Sequence, residues 1–190
     1  MFPYAVVGLI GLVVAAIGLT HGGVNAARVA GGLGHWPVEW IQAAERAARK
    51  YGVPIEWILA TIIVESGGRP SVRGDADGRS VGLMQINAVA HAGEGVTATM
   101  LLNPMTNIDW GTRYIRQYRD EVLSALGGRT PPLPIDWLTR LAYKGPTTIE
   151  NVLRNGQNPA TAVLWAPEAL RNWQAAMGRV SALTRSKLTA

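Results

Sequence analysis

The sequence predicts a mainly α fold, and three observations lead to this. Apolar residues recur at helical spacing along most of the chain after about residue 36. Proline and glycine stand where these stretches begin and stop, and no segment alternates as a convincing strand would. The 190 residues are enough for one domain with a core and an appendage, but too few for two large domains.

The first 27 residues form the predicted appendage. They contain no Asp, Glu, Lys or Arg, and a helix over residues 2–19 would extend roughly 27 Å, about the thickness of a bilayer's hydrocarbon core. We therefore predict a single apolar, transmembrane-type helix in residues 1–27. It would serve as a membrane anchor or as a helix buried among the subunits of an assembly. A cleaved signal peptide is the third alternative, although no basic residue precedes the apolar run.

Residues 28–35 are predicted to be a flexible linker, because Gly31, Gly32 and Gly34 fall within eight residues. The domain of residues 36–190 follows. Its apolar spacing and its proline and glycine boundaries predict six helices, at residues 37–51, 54–66, 103–126, 135–143, 147–155 and 167–183. Consecutive prolines in residues 130–134 predict a stiff connection between the third and fourth of them.

Glu65 is the first candidate for a chemical role. It lies in the last turn of the predicted helix 54–66, after a run of apolar residues. Partial removal from water and the negative end of the helix dipole both disfavour an ionised carboxylate. A carboxyl group in this position is expected to carry a proton near neutral pH and to act as a general acid.

Four short motifs follow one another along the chain. They are Glu65-Ser66, Gly82-Leu83-Met84-Gln85-Ile86, Asn103-Pro104 with Asn107-Ile108, Gly111 and Tyr114-Ile115, and Ala142-Tyr143. In this order they resemble the motifs of the soluble lytic transglycosylases, lysozyme-like enzymes that cut the glycan strands of peptidoglycan. The resemblance runs from about Trp36 to about Val180, and it implies a lysozyme-like helical domain.

The resemblance also implies a role for each of five residues. Glu65 would be the catalytic residue, donating a proton to the glycosidic oxygen and then removing one from the sugar's own C6 hydroxyl. Gln85 would bind an acetamido group, and Tyr143 would hydrogen-bond the catalytic carboxyl. Met84 would pack on a sugar face, with core packing as its alternative. Ser66 would hydrogen-bond the substrate or Glu65, with an ordinary helix-end role as its alternative.

One position departs from the family. The tyrosine of the last motif is commonly followed by Asn, whereas Lys144 follows it here. Because a lysine cannot accept a hydrogen bond, the substrate contacts attributed to that Asn are in doubt. Lys144 would instead meet a carboxylate of the substrate's peptide stem, or favour the ionised form of Glu65 if it came close.

The composition limits partners and cofactors. The net charge of +5 favours an acidic partner, but no basic run or nucleic-acid motif accompanies it, so no nucleic acid is expected. No cofactor is implied. The short acidic run Asp75-Ala76-Asp77 lacks the later glutamate of a calcium loop, and the three histidines have no zinc spacing, so no metal is expected either.

Three classes of function remain open. The first is a peptidoglycan lytic transglycosylase that forms a 1,6-anhydro-MurNAc end, either membrane-anchored and facing the cell wall or associated with a virion, where it would open the wall locally. The second is a hydrolase like goose-type lysozyme, in which Asp75 or Asp77 would position a water. The third is a structural or wall-binding virion component with little activity. The partners would be peptidoglycan glycan strands and, through residues 1–27, a membrane or other subunits.

Overall fold

The computed structural model describes residues 24–74 and 77–185, most of which lie in helices. Three helices precede a small sheet: α1 (Ala26–Gly32), α2 (Val38–Tyr51) and α3 (Ile55–Ser66). The sheet consists of β1 (Arg73–Gly74), β2 (Ser80–Val81) and β3 (Ile86–Asn87). A 3-10 turn at Ala92–Glu94 follows, and then α4 (Ala98–Leu101), α5 (Pro104–Leu126), α6 (Ile135–Lys144), α7 (Pro146–Arg154), α8 (Pro159–Ala162) and α9 (Ala166–Thr184).

The mainly α prediction is confirmed, and the six predicted helices correspond to α2, α3, α5, α6, α7 and α9. The stops fall where the sequence places them. Gly67, for example, ends α3 with a left-handed φ of 62°, a conformation that glycine adopts without the steric cost of a side chain.

Helix α3 runs through the centre of the domain. Ile58, Leu59 and Ile62 on this helix are fully buried, and α3 packs against α9, α2 and α5. Since apolar residues surround the middle of the helix, residues 57–62 are all buried, and in the last turn Val64 and Glu65 become partly exposed. The Glu65 carboxyl therefore lies at the point where this buried helix reaches the surface.

Helix α5 organises the rest of the domain. It packs against α2 at one side and against α6 and α7 at the other, so it contributes to two buried clusters. One cluster joins α1, α2, α3, the sheet and the first half of α5. The other joins the end of α5 to α6, α7 and the start of α9.

Two predictions about the fold need correction. Residues 26–32 form helix α1 rather than a flexible linker, because Val29, Ala30 and Leu33 are buried against the domain. The sequence also suggested no strands, whereas β1, β2 and β3 form a three-stranded antiparallel sheet. Each strand has two residues, too few for an alternating pattern to be visible.

The predicted apolar helix of residues 1–27 lies outside the described residues, apart from its last four. Across residues 24–74 and 77–185, no helix combines the length and the apolar character needed to cross a membrane.

Candidate active site

The site is an open cavity of about 600 Å³ at the end of α3. Its walls come from α3, from the segment around β2 and β3, and from helices α5, α6 and α9. The polar side chains lining it are Glu65, Ser80, Gln85, Asn87, His91, Tyr114, Tyr118, Arg140, Tyr143, Lys144 and Asn172. A groove with this many hydrogen-bonding groups suits a polar ligand rather than an apolar one.

Glu65 enters the cavity from the last turn of α3, with its side chain 20 % exposed. Its Oε1 accepts a hydrogen bond from Nη1 of Arg140, and the two form an ion pair. The Arg140 side chain is only 4 % exposed. The carboxyl is therefore paired with a buried cation, a contact that the sequence prediction did not include.

Tyr143 lies one turn after Arg140 on α6 and also lines the cavity. Its hydroxyl donates to the backbone carbonyl of Met84 at 2.9 Å, not to Glu65 as the resemblance implied. A phenol has a single O–H to donate, so this hydroxyl cannot also donate to Glu65. The carboxyl accepts its hydrogen bond from Arg140 instead. Burial, together with the nearby Glu65 carboxylate, raises the pKa of Tyr143 well above its usual value.

Ser66 and Met84 do not line the cavity. Ser66 is buried, and its Oγ donates to the carbonyl of Leu83 at 2.8 Å, which ties the end of α3 to the loop after β2. The Met84 side chain is fully buried beside Gly111 of α5. The predicted side-chain contacts of these two residues with a substrate do not fit this placement, and the alternatives of helix-end role and core packing do.

Gln85 lines the cavity, with its backbone at a positive φ of 50°. Its Nε2 donates to the carbonyls of Gly82 at 2.8 Å and Val72 at 3.1 Å. The amide donors therefore hold the loop between β2 and β3 to the segment before β1. Only the amide oxygen remains uncommitted in the hydrogen bonds of the described residues, so any contact with a ligand requires that oxygen or a change of partners.

Asn107 explains why the motifs lie at their observed spacing. It is fully buried on α5; its Oδ1 accepts from the amide of Met84 at 2.7 Å, and its Nδ2 donates to the carbonyls of Val81 and Leu101, both at 2.9 Å. A Cβ on Gly82 would overlap the Asn107 amide. One side chain thus fixes the segment that carries Gln85 onto the helix that carries Tyr114 and Tyr118.

Lys144 lies at the rim of the cavity, exposed, with its Nζ 5.4 Å from the centre of the Trp165 ring. At this distance the ammonium and the indole attract each other as a cation–π pair. No ion pair joins Lys144 to Glu65 among the described residues, where the Glu65 carboxyl pairs with Arg140.

A second polar cluster lines the cavity through His91. The imidazole stacks on the buried Tyr114 ring at 3.8 Å between centroids, and its Nδ1 lies 2.8 Å from Oε1 of Glu94. Arg113 binds the other oxygen of Glu94 at 3.0 Å. Burial, and secondarily the Glu94 carboxylate, raises the pKa of Tyr114 above its usual value, and burial raises the pKa of Tyr118 to about 12.

Two side chains of the cavity, Arg140 and His91, are not among the candidates that the sequence indicated. Arg140 carries a weak signal, since it lies three residues before Tyr143 and so on the same face of a helix. His91 carries none on its own, because its neighbours Glu94 and Tyr114 meet it only through the turn of the chain after β3.

The comparisons with known proteins agree with the motifs. Residues 42–164, well over half of the chain, match the model of the family described as the Transglycosylase SLT domain.

The similar proteins match a smaller part of this chain than the family model does. An endo-type membrane-bound lytic murein transglycosylase A of Enterobacter sp. (strain 638) is 34 % identical over 99 residues, covering 47 % of each chain. A membrane-bound lytic murein transglycosylase C of Cronobacter sakazakii is 34 % identical over 118 residues, covering 56 % of this chain and 31 % of that protein. The matched part is thus half or less of the length of these relatives.

Proposed function

Because the chain belongs to the Transglycosylase SLT domain family, we propose that it is a peptidoglycan lytic transglycosylase. It cleaves the β-1,4 bond between MurNAc and GlcNAc and leaves a 1,6-anhydro-MurNAc end. The observation that carries the proposal is the position of Glu65, a carboxyl group delivered by an apolar helix to the wall of a large polar cavity. The names of the similar proteins, which are lytic murein transglycosylases, support the substrate class.

Glu65 is proposed to transfer a proton twice. Protonated Glu65 donates to the glycosidic oxygen while the bond from that oxygen to C1 of MurNAc breaks. The resulting carboxylate then accepts the proton of the C6 hydroxyl as O6 forms a bond to C1. Glu65 is protonated again at the end, and no water is consumed.

Arg140 acts on the ionised half of this cycle. Its guanidinium binds the Glu65 carboxylate, which is the form that exists between the two proton transfers. The contact stabilises and orients that form for the second transfer. The first transfer requires that Glu65 take up a proton and that this contact weaken.

The number of carboxylates that line the cavity favours the sugar hydroxyl over water as the attacking group. Hydrolysis of a glycoside usually takes two carboxylates flanking the bond, and Glu65 is the only one lining the cavity within the part of the chain that the structure describes. Asp77, proposed to position water in a hydrolase, pairs with Arg79 at 2.5 Å and does not line the cavity. Asp75 lies outside the described residues.

The proposed place of action is a membrane facing the cell wall, or a virion, where the enzyme opens the wall locally. The apolar composition of residues 1–27 supports attachment to a membrane or to other subunits. The positive net charge of +5 supports a location beside acidic envelope polymers.

The test is the rate at which the full-length chain solubilises purified peptidoglycan. Glu65→Gln removes the proton carrier and is expected to lower the rate by about 100- to 10,000-fold. Asp77→Asn is the matched control, since it makes the same chemical change at a carboxylate outside the cavity, and it should retain the parent rate. Activity of Glu65→Gln within a few-fold of the parent would contradict the proposed role, and loss in Asp77→Asn would support a hydrolase.

A further inference from the structure

His91 lies in the cavity in a fixed orientation that three neighbouring contacts impose. Asn87 accepts hydrogen bonds at its Oδ1 from the amides of Val89 and Ala90, both at 3.0 Å, and so fixes the turn that leads into His91. The imidazole then stacks on Tyr114, which is 1 % exposed and lies on the long helix α5. The ring therefore rests on a rigid part of the fold.

The third contact sets the protonation pattern of the ring. Nδ1 of His91 faces Oε1 of Glu94 at 2.8 Å, and a carboxylate accepts hydrogen bonds, so Nδ1 carries the proton. In the neutral imidazole Nε2 is then the acceptor. Glu94 is itself held by Arg113 at 3.0 Å, so the tautomer is fixed by a chain of charged contacts rather than by a single mobile side chain.

Nε2 has no hydrogen-bond partner in the contacts of the described residues, and the side chain is 16 % exposed where it lines the cavity. The stability gained from a partly exposed histidine–glutamate pair is small. An oriented acceptor on the wall of a polar cavity is, by contrast, the type of group that recognises a sugar hydroxyl or an amide N–H.

We propose that His91, held by Glu94 and Tyr114, binds one sugar unit of the glycan strand by accepting a hydrogen bond at Nε2 from a hydroxyl or an acetamido N–H. The identity of the ligand as a glycan rests on the proposed function. His91 follows β3, whereas Glu65 lies in the last turn of α3, so this contact is separate from the proton-transferring group. It fixes where a strand lies along the cavity and therefore which bond reaches Glu65.

The test measures binding without cleavage. The full-length chain carrying Glu65→Gln is titrated by calorimetry with peptide-free oligomers of the GlcNAc–MurNAc repeat, which stay uncut. In this background His91→Asn retains a donor toward Glu94 but lacks the acceptor at the Nε2 position, and His91→Phe retains the ring on Tyr114 but has no nitrogen. Both are expected to raise the Kd by about 3- to 10-fold, the effect of one lost hydrogen bond.

Rescue and control variants separate recognition from folding. The amide oxygen of His91→Gln can reach the position of Nε2, so this variant should bind within about twofold of the background. His35→Asn makes the same change at an exposed histidine outside the cavity, at a backbone φ of 62° that Asn tolerates, and it should leave the Kd unchanged.

Unchanged affinity in His91→Asn and His91→Phe would overturn the proposal, and so would a His91→Gln variant as weak as these two. Absence of any glycan binding by the Glu65→Gln background would also overturn it. The proposed function fails separately, if the parent chain binds the glycan with the expected dependence on His91 but cleaves none of it.

Discussion

At the scale of single residues, the position of Glu65 could be read from the sequence and its partner could not. Apolar spacing places it in the last turn of a buried helix, where the structure has it. Arg140 is 75 residues away in the chain, and only the packing of α6 against α5 and α9, which also contact α3, brings the guanidinium to the carboxyl. For the same reason the predicted bond from Tyr143 to Glu65 was wrong in its acceptor, which is the carbonyl of Met84.

The ion pair predicts that removing the Glu65 carboxylate alone destabilises the fold more than removing both charges. Arg140 is 4 % exposed and Glu65 is 20 % exposed, so removing the carboxylate leaves a cation with little access to water. Glu65→Leu should lower the free energy of unfolding by about 2–4 kcal/mol. Adding Arg140→Met should recover much of this loss, because the buried charge is then gone as well.

Urea unfolding of the two variants and the parent measures the effect. A double variant that is no more stable than Glu65→Leu would show that the buried guanidinium does not depend on this carboxylate.

At the scale of elements, the long helices were predicted within a few residues because each has an apolar stripe and a proline or glycine at its ends. The short elements were missed. The strands are two residues long, and α1 contains the glycines that suggested a linker. Both the strands and α1 are held by contacts with distant parts of the chain. In α1, for example, Arg28 donates to the carbonyl of Leu183.

The loop from β2 to α4 is predicted to depend on Asn107. Asn107→Ala removes three hydrogen bonds and leaves the amide of Met84 and the carbonyls of Val81 and Leu101 without their buried partner. We expect a loss of about 2–4 kcal/mol in the free energy of unfolding. Peptidoglycan cleavage should fall too, since this loop carries Gln85 into the cavity.

Asn151→Ala on the exposed face of α7 is the matched control, with an expected change within about 0.5 kcal/mol. Equal stability of the two variants, measured by urea unfolding, would contradict the role assigned to Asn107.

At the scale of the whole molecule, the domain begins earlier than the sequence suggested. Val29 and Leu33 of the α1 region are buried, and α1 packs against α2 and α9. The boundary at residue 36, drawn from glycine content, would cut through this packing. Glycine content indicates where a chain can bend, but whether a segment is buried depends on the helices that the rest of the fold places beside it.

A chain that starts at residue 24 should therefore be more stable than one that starts at residue 36. Loss of the two buried side chains alone corresponds to about 3–6 kcal/mol at the usual value for burying an aliphatic residue. Thermal unfolding of both chains, followed by circular dichroism, measures the difference. Equal midpoints would mean that α1 contributes nothing to the domain.

The central claim concerns the whole reaction: one carboxylate, Glu65, cleaves the glycan by using the sugar's own C6 hydroxyl in place of water. Mass spectrometry of the fragments that the full-length chain releases from purified peptidoglycan tests it most directly. We predict 1,6-anhydro-MurNAc ends, each lighter by one water than the product of hydrolysis. Fragments with only reducing ends would contradict the claim and show that a water molecule attacks at this site.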